Sequence, residues 1–239
     1  MSDAAPSRFR RWLAPPHPTW QSSSSRRRVE DFLREESNRV PKGRRVNVGS
    51  ASKRFAVRTV NLDLLTGEQV DVQGDVLSLP FQDQTVDTVV CTGVLEHVAD
   101  PHRAVAEFYR VMKPGGRIFV EAPFMQTVHA SPGDYSRWTR DGLGRLMTGF
   151  EVQSCHVVAG PASALAWLVQ ETLAMLFSLR NELLYKLGLR LFGWLAVPLS
   201  WLDLMLERHP MAWHAASGFA VVAAKPGPKP GREEAVARP

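Results

Sequence analysis

Apolar and polar positions along the chain switch between a helical and an alternating rhythm, and the switches predict helices and strands in turn. Residues 29–39 carry helical spacing. Residues 45–48 read as a short strand ending at Gly49, 57–62 as a β-branched strand ending at Asp63, and 69–72 as a third extended piece. Residues 86–91 are nearly all apolar, the pattern of a strand buried on both faces. A helix is expected over 101–112, with Asp100 as its N-cap, proline in its first turn and Ala104, Val105, Phe108, Val111 and Met112 as its apolar stripe. Lys113-Pro114-Gly115-Gly116 ends it and turns the chain. Further strands are expected over 117–121, 150–158 and 218–224, with a short helix over 139–147. The alternation predicts an α/β fold: a Rossmann-like, doubly wound sheet of mostly parallel strands. Residues 161–209 interrupt it as a helical insertion of two or three amphipathic helices before the last strand. Leu183, Leu187, Leu191, Trp194 and Leu195 form an apolar face there, and Glu182, Lys186 and Arg190 a polar stripe.

With 239 residues, 44% hydrophobic and 22% charged, the chain is long enough to bury a core and is neither a disordered nor a disulfide-scaffold sequence. Its net charge of +5 sits in residues 1–28, which hold six arginines and one acid, Asp3; the remainder is neutral. The expected organisation is a basic flexible arm over 1–28, a main domain over 29–225 and a Pro-rich disordered tail over 226–239. A neutral main domain argues against a nucleic-acid partner. Two cysteines, Cys91 and Cys155, give neither a disulfide framework nor a metal site, and fit the reducing cytoplasm. The first thirty residues lack a secretory h-region. The uncharged apolar run 191–202 has twelve residues with Pro198 among them, too short to span a bilayer as a simple helix.

In an open α/β sheet, ligands bind beyond the carboxyl ends of the strands. The first strand and its exit read Asn47-Val48-Gly49-Ser50, and a glycine there lets backbone approach a ligand. Asp63, after the second strand, can accept two hydrogen bonds from a ribose diol. Asp75-Val76, after the third, can hold the amine and one face of an adenine. The fourth ends Cys91-Thr92-Gly93, followed by Leu95-Glu96-His97-Val98.

The order of these features resembles the class I S-adenosylmethionine-dependent methyltransferases, in their small-molecule branch. The resemblance rests on Gly74-Asp75-Val76-Leu77-Ser78-Leu79-Pro80-Phe81, Val86-Asp87-Thr88-Val89-Val90, Val94-Leu95-Glu96-His97-Val98 and Arg110-Val111-Met112-Lys113-Pro114-Gly115-Gly116. It covers roughly residues 29–158 and 218–224. It implies S-adenosylmethionine as cofactor, bound by Asn47, Gly49, Ser50, Asp63, Leu64, Asp75, Val76, Thr92, Gly93 and His97, with no metal. The first motif departs from the family: Asn47 stands where an acid is usual, and of the three glycine positions only Gly49 is kept, with Ala51 and Lys53 at the others. Eight residues link Val48 to Val57, so the first crossover is a loop or a single turn. The chain also resembles a subgroup, associated with bacterial surface-glycan biosynthesis, that shares the Gly-Ser start, the Asn-Leu-Asp second strand and the segment 122–139.

That segment, after the fifth strand, is dense in polar groups: His129, Asp134, Tyr135, Arg137 and Trp138. A sulfonium methyl is already electrophilic, so the protein supplies alignment, and a base for a hydroxyl or amine acceptor. His129 is the expected base, with Asp134 and Tyr135 orienting it or binding the acceptor; His97 is expected to support its loop. The expected function is methyl transfer to a small-molecule acceptor, a sugar or a lipid-linked glycan precursor. The alternative is a methyltransferase-like binding or assembly protein without catalysis. An NAD-dependent oxidoreductase would carry a fuller Gly-x-Gly-x-x-Gly turn. Peripheral membrane contact through the arm and 161–209, at the inner face of the membrane, and a homodimer are the expected partnerships. Replacing His129 with Ala is expected to lower turnover about 10²–10⁴-fold; an unchanged rate with the true acceptor would remove it as the base.

Overall fold

A computed structural model describes residues 23–50, 54–129 and 133–227. Ala51 and Lys53, residues 130–132 of the polar segment, most of the basic arm and the end of the tail lie outside the described residues. The chain divides into two compact units. One comprises Arg26–Pro123 together with 133–156 and 219–227; the other comprises Phe124–His129 and Val157–Gly218.

The first unit is built on a sheet in the order β3-β2-β1-β4-β5-β7-β6. Its strands are β1 (Arg45–Val48), β2 (Val60–Asp63), β3 (Val72–Gln73), β4 (Val86–Thr92), β5 (Met112–Pro123), β6 (Glu151–Ala159) and β7 (Gly218–Ala224). The pairs β1–β2, β1–β4, β2–β3 and β4–β5 are parallel. β7 is antiparallel to β5: Gly115 and Gly116 near the start of β5 exchange hydrogen bonds with Lys225 just past the end of β7, both at 2.9 Å. β4 is buried at every position, as its apolar run demands. The sheet is thus doubly wound and mostly parallel, as the sequence predicts.

Three helices belong to this unit: α1 (Ser23–Arg39), α2 (Pro101–Val111) and α3 (Arg140–Leu146). Asp100 caps α2 by accepting from Arg103 N at 3.0 Å, and Thr139 caps α3 by accepting from Gly142 N at 3.1 Å. α1 starts six residues earlier than its apolar spacing suggests, so helix replaces the arm from Ser23 onward. Strand β2 is shorter at its start than predicted and β3 is only two residues long. Lys113 to Gly116 do not separate a helix from a new strand; they bulge out of β5. Val86 pairs with Met112 while Thr88 pairs with Arg117, and Gly115 takes a φ of +77°. Among the described residues, no helix stands between β1 and β2.

α1 is bound to the sheet by packing and by one buried carboxylate. Phe32 meets Phe119 at a ring-centroid distance of 5.6 Å, and Val29 and Leu33 are buried beside it. Glu36 is fully buried. It accepts from Arg39 Nη2 at 2.5 Å, Arg117 Nη1 at 2.8 Å and Thr88 Oγ1 at 3.0 Å. Burial pushes this carboxyl up, but the Arg39 hydrogen bond and charge, the Thr88 hydroxyl and the Arg117 charge together outweigh it and hold it below the ordinary 4.5. A depressed folded-state value adds stability that is complete above about pH 4.5 and is lost as pH falls through the lower folded value. Glu36→Ala should cost about 3 kcal/mol, because it removes the carboxylate that the part-buried Arg117 guanidinium and the buried Thr88 hydroxyl share and leaves a cavity in its place. Acid unfolding followed by circular dichroism should show the variant losing less stability below that pH than the parent. Equal acid sensitivity would refute the role.

The second unit is helical: α4 (Pro161–Phe177), α5 (Glu182–Ser200) and α6 (Asp203–Leu206), three where the sequence left two or three open. The Asp203 carboxylate caps α4 by accepting from Ala162 N at 2.9 Å and Ser163 N at 2.8 Å. Asn181 caps α5 through the backbone N–H groups of Leu183 and Leu184.

Candidate functional site

The carboxyl edge of the parallel strands is shaped by glycines where the chain leaves them. Gly49 and Gly93 both hold φ of +67°, the left-handed region that a side chain resists. At Gly49 the demand is also steric, since a β-carbon there would overlap the Val94 side chain. The N–H groups of Gly49 and Ser50 both donate to Leu62 O, at 2.8 and 3.1 Å, which bends the exit of β1 toward β2. Ser50 is buried, and its hydroxyl finds no hydrogen-bond partner among the described residues.

Asp63 and Asp75 use the same local device. Asp63 Oδ1 accepts from Leu65 N at 3.0 Å, and Asp75 Oδ1 accepts from Leu77 N at 2.9 Å. Each acid thereby fixes its own turn and its own orientation at a strand end. Asp63 pairs in register with Gln73, and its carbonyl accepts from Gly74 N at 2.9 Å, so the two acidic turns leave neighbouring strands. A β-carbon at Gly74 would press on Pro80 at 3.0 Å and Leu62 at 3.2 Å. Val76 is buried next to Asp75, while Leu64 is exposed. Asn47 is buried rather than laid open at the rim: its amide donates to Asn61 Oδ1 at 3.2 Å, and Asn61 is held by Thr59 Oγ1 at 3.0 Å.

After β4, Thr92 is buried and the exposed Gly93 donates to Glu121 O at 3.1 Å. A single 3₁₀ turn over Leu95–His97 comes next. It holds the polar segment at two points. Tyr135 N donates to Glu96 O at 2.7 Å, and His97 Nδ1 lies 2.6 Å from Gly133 O. A carbonyl only accepts, so His97 carries its proton on Nδ1 in that bond. That bond ties the 3₁₀ turn to Gly133 of the polar segment. Trp138 N donates to Pro123 O at 3.0 Å, tying the far end of the segment to the end of β5.

Within that segment, Asp134 is paired with Arg137 through both guanidinium nitrogens, Nη2 to Oδ2 at 2.7 Å. Tyr135 stands 63% exposed with its ring against Gly133. These two of the three predicted catalytic residues fall in the same unit as the strand-end residues. His129 belongs to the helical unit, where its Nδ1 faces Thr127 O at 3.1 Å and its ring lies 5.5 Å from Trp167. Sequence reasoning passed over Val94, which makes Gly49 obligatory, and the buried Glu96, which holds Tyr135. Both stand in the quoted Val94-Leu95-Glu96 run, which was the available signal.

The residues present suit an adenosyl sulfonium ligand. A left-handed glycine and a buried, unsatisfied hydroxyl stand at the end of β1, and two acids with fixed turns stand beside them. The acids complement the ligand's positive charge and diol donors, and Val76 offers an apolar wall next to Asp75.

Residues 48–120 match the family described as a methyltransferase domain. The chain is 35% identical over 83 residues to an uncharacterised 37.1 kDa transposon protein of Streptomyces fradiae, covering 35% of this chain and 24% of that one. It is 32% identical over 103 residues to the ubiquinone/menaquinone biosynthesis C-methyltransferase UbiE of a Ruegeria species, covering 41% of this chain and 36% of the relative. The matches thus span about a quarter of the first relative's length and little more than a third of the second's. Among solved structures, a candidate sarcosine dimethylglycine methyltransferase of Galdieria sulphuraria superposes with a TM-score of 0.51 at 13% identity, covering 84% of this chain and 86% of that one. The 4+2 cyclase SpnF superposes at 0.50 with 18% identity, covering 87% and 84%. These two likenesses show the fold.

Asp63→Asn keeps an acceptor for Leu65 N but removes the charge and one diol acceptor. It should weaken S-adenosylmethionine binding about 10- to 100-fold in a calorimetric titration, with the melting temperature unchanged. Parent-like affinity would show that Asp63 serves its turn alone.

Proposed function

We propose that this chain, which carries a class I S-adenosylmethionine-dependent methyltransferase domain, transfers the sulfonium methyl to a hydroxyl or amine of a small-molecule acceptor, a sugar or a lipid-linked glycan precursor. The observation that carries the transfer reading is the strand-end edge: Gly49 in the left-handed region under Val94, with Asp63 and Asp75 each fixed by an Asx-type turn. Bound there, S-adenosylmethionine supplies an electrophilic methyl group, and the protein's task is alignment and exclusion of water.

What supports a polar acceptor is the segment held on the 3₁₀ turn. The Asp134–Arg137 pair stiffens it from within, and the bonds from Tyr135 N and His97 Nδ1 fix it from outside. Rigid backing of this kind leaves the exposed Tyr135 phenol free to orient without an entropy cost in its backbone. Asp134, neutralised by Arg137, serves better in positioning than in proton removal. UbiE is named for transfer to carbon, so acceptor type is the point at which the test has to decide.

Incubation of the full chain with methyl-labelled donor and fractionated extracts of surface glycan and lipid-linked precursors should place label on oxygen or nitrogen of a glycan fraction. Label on a ring carbon of a quinone-like lipid would overturn the polar-acceptor reading. Tight donor binding with no label in any fraction would overturn transfer itself.

A further inference from the structure

The helical unit is turned inside out relative to a water-soluble one. The buried residues of α5 are Gly188, Gly193 and Ala196, all small, while Leu183, Leu187, Leu191, Trp194 and Leu195 are half or more exposed. α4 largely repeats the arrangement: four of its seven buried residues are alanine, the large ones being Trp167 and Gln170, with Leu165, Leu168, Met175 and Leu176 outside. The two helices approach closely where a β-carbon on Gly188 would lie 3.1 Å from Ala174 Cα. Polar groups turn inward and find each other. Tyr185 Oη donates to Glu171 Oε2 at 2.5 Å, Gln170 Nε2 donates to Leu189 O at 3.2 Å, and the buried Asp203 is spent on the N-terminus of α4. Water rewards the opposite choice, burying leucine and exposing glutamate.

α5 is also long and apolar enough to cross a membrane by length and composition, and only 11% of its apolar window is buried, so it is not a core helix. The twelve-residue run counted from sequence therefore understates the element, which is 19 residues long. One feature favours lying in a membrane surface over crossing it. Glu182, Lys186 and Arg190 fall at i, i+4 and i+8, and Lys186 Nζ bonds Glu182 Oε1 at 2.5 Å. This charged stripe runs along one border of the apolar face, as in a helix half-sunk beside lipid headgroups. Trp194, Trp201 and Trp213 are exposed in the same unit, with the side chain preferred at that depth.

We propose that the exposed faces of α4, α5 and α6 seat the protein in one leaflet of a phospholipid membrane, without crossing it. The six arginines of residues 1–28 give the sequence the charge that anionic headgroups attract. Exposed apolar side chains stand on all three helices and on the turn between α4 and α5 (Leu179), a spread that suits a fluid covering better than one flat twofold contact. Membrane seating is independent of methyl transfer, and its test requires no donor.

The full chain should float with vesicles of phosphatidylcholine and phosphatidylglycerol, and should stay bound in high salt because acyl contact is not screened. The exposed pair Leu187→Glu and Leu191→Glu, made together, should lower the vesicle partition coefficient about 100-fold or more with the thermal melt unchanged. Bromine-labelled acyl chains should quench the tryptophan fluorescence of the unaltered protein, a readout that needs no variant. Absence of flotation and of quenching would overturn the proposal, as would flotation that the double variant leaves intact. A parent that stays out of the vesicle fraction and runs as a dimer split by the same pair would assign the face to a second copy.

Discussion

The Val94 side chain stands where a β-carbon on residue 49 would have to be. That exclusion shapes the whole strand-end edge. It admits only glycine at the end of β1, and the left-handed turn this permits carries two consecutive N–H groups onto Leu62 O. The exit of β1 is thereby tied to β2, whose next residue is Asp63. Val94 in turn stands at the head of the 3₁₀ turn that grips the polar segment through Glu96 O and His97. One steric exclusion between the exits of two central strands thus links the β1–β2 turn to the turn that grips the polar segment. A shortened crossover after β1 is tolerable for the same reason. Among the described residues, the turn out of β1 is shaped by one glycine and a neighbouring valine.

The central strands were legible because burial on both faces leaves a mark in composition that needs no partner to be read: β4 is Val-Asp-Thr-Val-Val-Cys-Thr and buried throughout. Capping was equally legible, since Asp100 and Thr139 act within three residues of themselves. What escaped depends on separation. The Glu36 carboxylate meets Arg117 across 81 residues, and nothing in the spacing of either announces the other. The start of α1 escaped because the Ser22–Ser25 run offers a cap signal at every position, so the apolar stripe alone set the boundary. β3 escaped in length because its extension rests on pairing with β2, of which only Leu62 and Asp63 take part.

At the site, the acids after β2 and β3 were legible in position and half-legible in role. In Asp63 and Asp75 one carboxylate oxygen accepts from the backbone two residues on, and the turn so fixed orients the carboxylate. A turn reading and a ligand reading are therefore not rivals at these positions, because the turn leaves the second carboxylate oxygen of each acid outside its own turn bond. Asn47 shows the reverse. Its place in the motif suggested the ligand, but a side chain in register with Asn61 on the neighbouring strand can meet that amide, and does. The family resemblance locates positions along the chain; which way a side chain at such a position is spent is decided by the residue across the ladder.

The two units bury different kinds of side chain. In the sheet unit, Phe108, Phe119 and Phe219 are buried, and the one fully buried carboxylate among the described residues, Glu36, is held by charged and hydroxyl partners; every choice fits water outside. In the helical unit the inside is mostly glycine and alanine, with Trp167 and Gln170 the large exceptions, most leucines and Trp194, Trp201 and Trp213 are outside, and polar groups bond across the helix pair. Hydrophobic patterning read from sequence cannot separate these cases, because a period of 3.6 reports that a helix has two faces and not which one is turned inward. The size of the inward residues does separate them. Helices driven together by water expulsion bury their largest apolar side chains, whereas helices in an apolar medium gain nothing by that and approach on their smallest. By that criterion α5, which turns Gly188, Gly193 and Ala196 inward and Trp194 outward, has the packing of a helix whose surroundings are hydrocarbon along one side.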